Sequence, residues 1–161
     1  MDALELDLLI YGGAARKRLE REVKKMLGEL SKKHDVEAPK FCITALASSS
    51  YDTGDKIIEV ASMHIGSIAT GGRDAKKYLK YELAHEFYHH LQGVSGVLSS
   101  DADVDMFEKK FEKSAEAFAH GETGITSGEL RSLTARLKTK REEYINSLKK
   151  QPARKSRSRS T

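Results

Sequence analysis

The segment that most constrains how this chain can fold is 81–92, with the sequence YELAHEFYHHLQ. It places His85 and His89 four residues apart, and in an α-helix residues with that spacing lie one above the other on one face. Apolar side chains occupy roughly the opposite face; they are Leu83, Phe87 and Leu91. The pattern predicts an amphipathic helix over 75–92 that packs on a core with one face and presents two imidazoles on the other.

The five residues from His85 to His89 have the sequence H-E-x-x-H, which suits zinc chemistry. The two imidazoles can share a cation, and Glu86, about 100° around the helix, can reach a water that the cation holds. Zinc with three protein ligands lowers the pKa of such a water toward ~7, and a carboxylate can then pass the proton to a leaving amine. Composition alone predicts roughly 0.02 chance matches in this chain. The motif therefore predicts peptide hydrolysis by a Glu-assisted, zinc-bound water.

The alternative is that these histidines only cap helices or hydrogen-bond to neighbouring groups. A thiol site is excluded, because Cys42 is the single cysteine and no CxxC pair exists. Any metal must therefore be held by histidine and carboxylate. His90 points away from the pair on the helical wheel, so we expect it to be structural.

The rest of the chain predicts an α+β arrangement, with a helix, short strands and then further helices. Two short alternating segments, 41–44 and 57–61, are expected to be strands that can form one hairpin, with the turn-rich sequence SSSYDTGD between them. The segment 62–72 is ambiguous and ends at a pair of glycines. Four helices are expected. The first covers 14–34, and the second covers 75–92 and is capped by Asp74. The third is capped by Ser100 or Asp101 and ends at Gly121, and the fourth covers 130–150, with Thr126 and Glu129 as a capping box.

A third metal ligand must come from downstream of the motif. The third expected helix carries an apolar stripe and, beside it, Glu108, Glu112 and Glu116, each one turn apart. Spacing alone does not choose among the three carboxylates, and those that do not bind metal are expected to be solvated or to support a ligand.

The segment 81–92 resembles the active-site helix of zincin metallopeptidases. The sequence of 112–119, EKSAEAFA, is similar to the gluzincin pattern E-x-x-A-D-x-F-A of HtpX-like peptidases, minigluzincins and, with Asn for Asp, ImmA/IrrE-type regulators. This resemblance implies that Glu112 is the third zinc ligand and that Glu116 takes the place of the Asp that supports a ligand histidine. Because Glu116 is longer than Asp, it could itself reach the metal. The small Ala115 would let the two helices approach.

The resemblance also implies a zincin-like domain with a short, mostly antiparallel sheet packed on the active-site helix and further helices C-terminal to it. In zincins an edge strand before that helix holds an extended peptide by main-chain pairing. The segment 57–62 has this position, although its alternative role is simply sheet core. His64, Tyr88 and His120 are candidate hydrogen-bond donors to the tetrahedral oxyanion, with structural roles as the alternative.

Charge distinguishes the body of the chain from its end. Four of the 28 basic residues lie in 151–161, so the first 150 residues carry 24 basic and 24 acidic side chains. The Ser/Arg segment has no apolar residue larger than alanine and is expected to be disordered. It either only solubilises the chain or attaches electrostatically to nucleic acid.

Runs without charge are too short to span a bilayer and the first ten residues lack a basic signal region, so we expect a soluble, cytoplasmic protein without a membrane partner.

Together these features predict one metallopeptidase domain over 1–150, a disordered basic tail over 151–161, Zn²⁺ as cofactor and a peptide or protein substrate. The competing hypothesis is a regulatory or binding module with a metallopeptidase-like fold that contacts nucleic acid or a protein partner through the tail. No helix-turn-helix, zinc-finger or aromatic RNA-binding pattern supports that role.

Overall fold

The structure, a computed structural model, describes residues 1–96 and 104–151, and the side chains of 1–96 and 109–151. This part of the chain is α+β and mostly helical, with six helices and one three-stranded sheet, which confirms the predicted class. The elements are α1 (Ala3–Tyr11), α2 (Gly13–His34), β1 (Lys40–Thr44), β2 (Ser50–Asp52), β3 (Ile57–Ala61), α3 (Met63–Thr70), α4 (Gly72–Val94), α5 (Val104–Thr123) and α6 (Ser127–Lys150).

The sheet has the strand order β1-β3-β2, in which β1 pairs with β3 in parallel and β2 pairs with β3 antiparallel. The predictions of a hairpin between 41–44 and 57–61 and of a mostly antiparallel sheet are therefore wrong. The reason is the short strand β2, which lies inside the expected turn and reverses the chain, so that β3 returns parallel to β1. Strand β3 is consequently central, and the expectation that 57–62 is an edge strand is also wrong. The edge strands are β1 and β2.

The observed helix boundaries agree with the predicted ones where apolar residues recur strongly at helical spacing. Helix α2 matches its predicted span, and the Thr126 side chain caps α6 by accepting a hydrogen bond from the Glu129 N–H. Asp74 does not cap α4; it lies in the first turn, where it pairs with Arg136 of α6 at 3.0 Å. Helix α5 continues past Gly121 to Thr123, and the residue that follows is Gly124, with a φ of +70°.

Two helices were not predicted. Helix α1 is capped by a reciprocal pair of hydrogen bonds between Asp2 and Glu5, and α3 occupies the ambiguous segment that ends at the predicted glycines. The expected caps Ser100 and Asp101, and the tail residues 152–161, lie outside the described residues. No helix of the described part is long and apolar enough to cross a membrane.

Helix α4 contacts the sheet, through β2 and β3, and also the helices α2, α3, α5 and α6. Of its predicted apolar face, Leu83 and Phe87 are fully buried and Leu91 is partly buried; Leu79 is fully buried as well. Its most extensive contact is with α5, where Ala115 and Ala119 are fully buried. Small side chains at this contact let the two helices lie close together, which brings the carboxylates of α5 within reach of the histidines of α4.

Candidate metal centre

His85, His89 and Glu112 meet across the contact between α4 and α5. The two imidazoles lie one turn apart, with ring centroids 5.1 Å from each other. The Glu112 carboxylate bridges them: Oε2 lies 2.9 Å from the Nε2 atom of His85, and Oε1 lies 2.9 Å from the Nε2 atom of His89. Of the two candidate carboxylates whose side chains the structure describes, Glu112 and Glu116, Glu112 is the one that joins the histidines.

This donor set fits a zinc ion. One ligand atom from each of the three residues lies within 4.8 Å of the others, and two imidazole nitrogens with one carboxylate oxygen form a familiar ligand combination of catalytic zinc. The imidazoles are largely covered, with 16% and 13% of their side chains exposed, whereas Glu112 is 54% exposed. The helix α4 therefore holds two donors firmly, and the third approaches from the solvent side.

Glu86 is buried next to this group on α4. Its burial, and then the negative charges of Glu112 and Glu82, raise the pKa of Glu86 to about 8. A cation held by the neighbouring ligands would oppose this shift by favouring the carboxylate form. The position places a buried carboxyl beside the ligand group and at the cleft that the ligands line.

A cleft of about 750 Å³ opens onto Glu86 and the three ligand residues. One wall is the edge strand β2 with the residues around it, and the opposite walls come from α5 and the first turns of α6. Within the described residues, β2 has a strand partner on one side only. An extended segment in the cleft would therefore lie beside the edge strand β2. The sequence predicts this peptide-binding position for 57–62 instead, which contains the central strand β3.

Glu116, which the resemblance implies supports a ligand histidine, also lines the cleft. It is exposed, and no hydrogen bond joins it to another described residue. Its charge acts instead on Tyr81, whose pKa is raised by burial first and by Glu116 second. The expected supporting contact of Glu116 is thus absent from the described part of the chain. The side chain of Glu108 lies outside the described residues.

The three candidate oxyanion donors do not line the cleft. His64 is fully buried against Glu82, Tyr88 packs its ring on Phe118, and His120 bonds to the carbonyl of Ile125. The hydroxyl-bearing rings that do line it are Tyr51, Tyr78 and Tyr81. The last two could have been found from the sequence, because they precede His85 by seven and four residues and therefore share its helix face.

Glu82 is the centre of a polar network beside the cleft. Its carboxylate accepts hydrogen bonds from Tyr78 OH at 2.6 Å and Ser49 Oγ at 2.7 Å, and its Oε2 lies 2.5 Å from Nε2 of His64. Ser49 in turn accepts from the backbone N–H of Ala61 at 3.1 Å. The network ties the segment before β2 to both β3 and α4, and so fixes one wall of the cleft.

Two further contacts involve neighbours of the ligands. His90, which the sequence predicts to be structural, is buried and lies outside the ligand group, with Nδ1 3.2 Å from Tyr51 OH and Nε2 3.2 Å from the carbonyl of Glu37. Gln92 is buried, and its Oε1 lies 3.0 Å from Nδ1 of His89.

Comparisons of the chain with models of known protein families, with curated proteins and with solved structures find no match.

Proposed function

We propose that this protein is a zinc metallopeptidase of gluzincin type with a zincin-like domain. The observation that carries the proposal is the convergence of His85, His89 and Glu112 beside a buried Glu86, at a cleft bordered by an edge strand. The H-E-x-x-H spacing accounts for the positions of His85, His89 and Glu86 on α4. The proposed third ligand, Glu112, comes from the neighbouring helix α5. The resemblance of 81–92 and 112–119 to gluzincin segments supports the same assignment.

In this proposal His85, His89 and Glu112 would hold the zinc ion. When bound, zinc supplies Lewis acidity and an open position at which water becomes a nucleophile near neutral pH. Glu86 takes the proton from the attacking water and returns it to the amine that leaves when the peptide bond breaks. Glu86 lines the cleft, so its carboxyl can reach the peptide bond of a substrate bound there.

The substrate would lie extended in the cleft. The outer edge of β2 offers backbone N–H and C=O groups, so a peptide can pair with it along its main chain. This mode of binding needs an unfolded or flexible segment, because a folded region has its own backbone groups already paired. Unstructured proteins are accordingly the expected substrate class.

The test is metal analysis of the purified full chain, followed by cleavage of an unstructured protein with and without chelator. We expect about one zinc per chain and chelator-sensitive cleavage. Glu86→Gln should keep the zinc and lose cleavage, because an amide cannot accept the proton. Glu143→Gln, on the exposed surface of α6, is the matched control and should keep both. A zinc-free protein, or a Glu86→Gln variant that cleaves at the parent rate, would refute the proposal.

A further inference from the structure

Gln92 occupies a position on α4 from which it acts on a ligand. It lies three residues after His89, and 7% of its surface is exposed. Its Oε1 is 3.0 Å from Nδ1 of His89, which is a normal hydrogen-bond distance. An amide carbonyl oxygen only accepts hydrogen bonds, so Nδ1 of His89 is the donor.

This hydrogen bond determines which nitrogen of His89 can bind a metal. A neutral imidazole carries one proton, and if that proton is on Nδ1 then Nε2 has a free lone pair. Nε2 is the atom that faces Glu112 in the ligand group. Both nitrogens of the ring therefore face oxygen atoms, Nδ1 that of Gln92 and Nε2 that of Glu112.

Within the described part of the chain, the other ligand histidine has no equivalent contact. Within the described residues, Nδ1 of His85 has no hydrogen-bond partner. Glu116, to which the family resemblance gives this role, makes no such contact with a described residue either. Gln92 is thus the described side chain that orients an imidazole of the ligand group.

We infer that Gln92 is a positioning residue, which holds His89 with its proton on Nδ1 and so presents Nε2 to zinc. The inference rests on the proposed zinc site and adds a determinant of its affinity. Groups that hydrogen-bond to metal-bound histidines typically change metal affinity by about 10- to 100-fold when removed. The chain provides this group from the same helix as the ligand, one turn further along.

The experiment is zinc competition against a chromophoric chelator, on the full chain. Gln92→Met keeps the volume but removes the acceptor, and we expect zinc affinity to fall by about 10- to 100-fold. Gln92→Glu restores an acceptor, and its affinity should equal or exceed that of the parent. Gln151→Met, at an exposed position after α6, is the matched control and should change nothing. Equal affinities for Gln92→Met and the parent would overturn the inference while leaving the zinc site intact.

A second measurement needs no variant and does not depend on cleavage. In the zinc-loaded parent, the Nδ1 proton of His89 should appear in imidazole NMR spectra and exchange slowly with water, because Gln92 shields and bonds it. Exchange as fast as that of a solvent-exposed imidazole would overturn the inference even if Gln92→Met failed to fold. A parent chain that binds no zinc would instead refute the proposed function itself, so the two failures are distinguishable.

Discussion

Replacing Glu82 by glutamine should destabilise the protein in a way that depends on pH. Burial by itself raises the pKa of this carboxyl. The hydrogen bonds from His64, Tyr78 and Ser49, together with the charge of His64, have the larger effect, and they lower the pKa from 4.5 to about 2. The side chain is only 15% exposed, so solvent screens these contacts weakly. The carboxylate form is therefore much more stable in the folded chain than in the unfolded chain.

The size and sign of the effect follow from the difference in pKa. A pKa of 4.5 in the unfolded state and about 2 in the folded state corresponds to about 3 kcal/mol of the free energy of unfolding. Because the folded pKa is the lower one, this contribution is present in full above about pH 5 and is lost as the pH falls through about 2. At pH 3 we expect about two-fifths of it to remain.

The assay is urea denaturation of zinc-free Glu82→Gln and parent chains at pH 7 and pH 3. The variant should be less stable by up to about 3 kcal/mol at pH 7, and the difference should narrow by about 2 kcal/mol at pH 3. Glu143→Gln should show no difference at either pH, because Glu143 is exposed on α6. If Glu82→Gln were destabilised equally at both pH values, the loss would come from packing and not from the charge, and the reasoning would be refuted.

Three further changes test other parts of the molecule. Glu112→Ala leaves two imidazoles, so zinc affinity in chelator competition should fall by orders of magnitude; an unchanged affinity would mean that another carboxylate binds the metal. Phe87→Ala should lower the free energy of unfolding, measured with urea, by about 3–5 kcal/mol, because it removes a fully buried ring from the face of α4 opposite the histidines. A loss below about 1 kcal/mol would contradict the place of Phe87 in the core. Deletion of residues 152–161 should leave the melting temperature and zinc content unchanged, since this segment has little apolar surface to bury; a large drop in melting temperature would show that it docks.

The long helices could be predicted because local sequence determines them. In α4 the apolar residues recur at helical spacing, and the same spacing places His85 and His89 on the other face. In α6 the capping residue Thr126 sits where the apolar pattern begins. Such features depend on residues three or four positions apart, so they can be recognised without knowing how the rest of the chain folds.

Strand β2 and helix α1 depend on distant parts of the chain instead. Strand β2 has three residues in a polar, turn-rich segment, and it is held there by tertiary contacts: Ser50 Oγ bonds to Glu59 at 2.8 Å, and its neighbour Ser49 bonds to Glu82. Helix α1 is apolar around most of its circumference and has no fully buried residue, so it lacks the stripe by which an amphipathic helix is recognised. Contacts with α3 fix its position.

The support of the ligand histidines is where the family resemblance and the structure differ, and the difference can be measured. The resemblance predicts that Glu116 orients a histidine across the helix contact, whereas the structure leaves Glu116 exposed and places Gln92 against His89. If orientation comes from α4 itself, Glu116→Ala should change zinc affinity less than Gln92→Met does, in the same chelator competition. It should also lower the pKa of Tyr81 in a spectroscopic titration, because Glu116 contributes to raising that pKa. A loss of zinc affinity with Glu116→Ala that equals or exceeds the loss with Gln92→Met would show that α5 supplies the support.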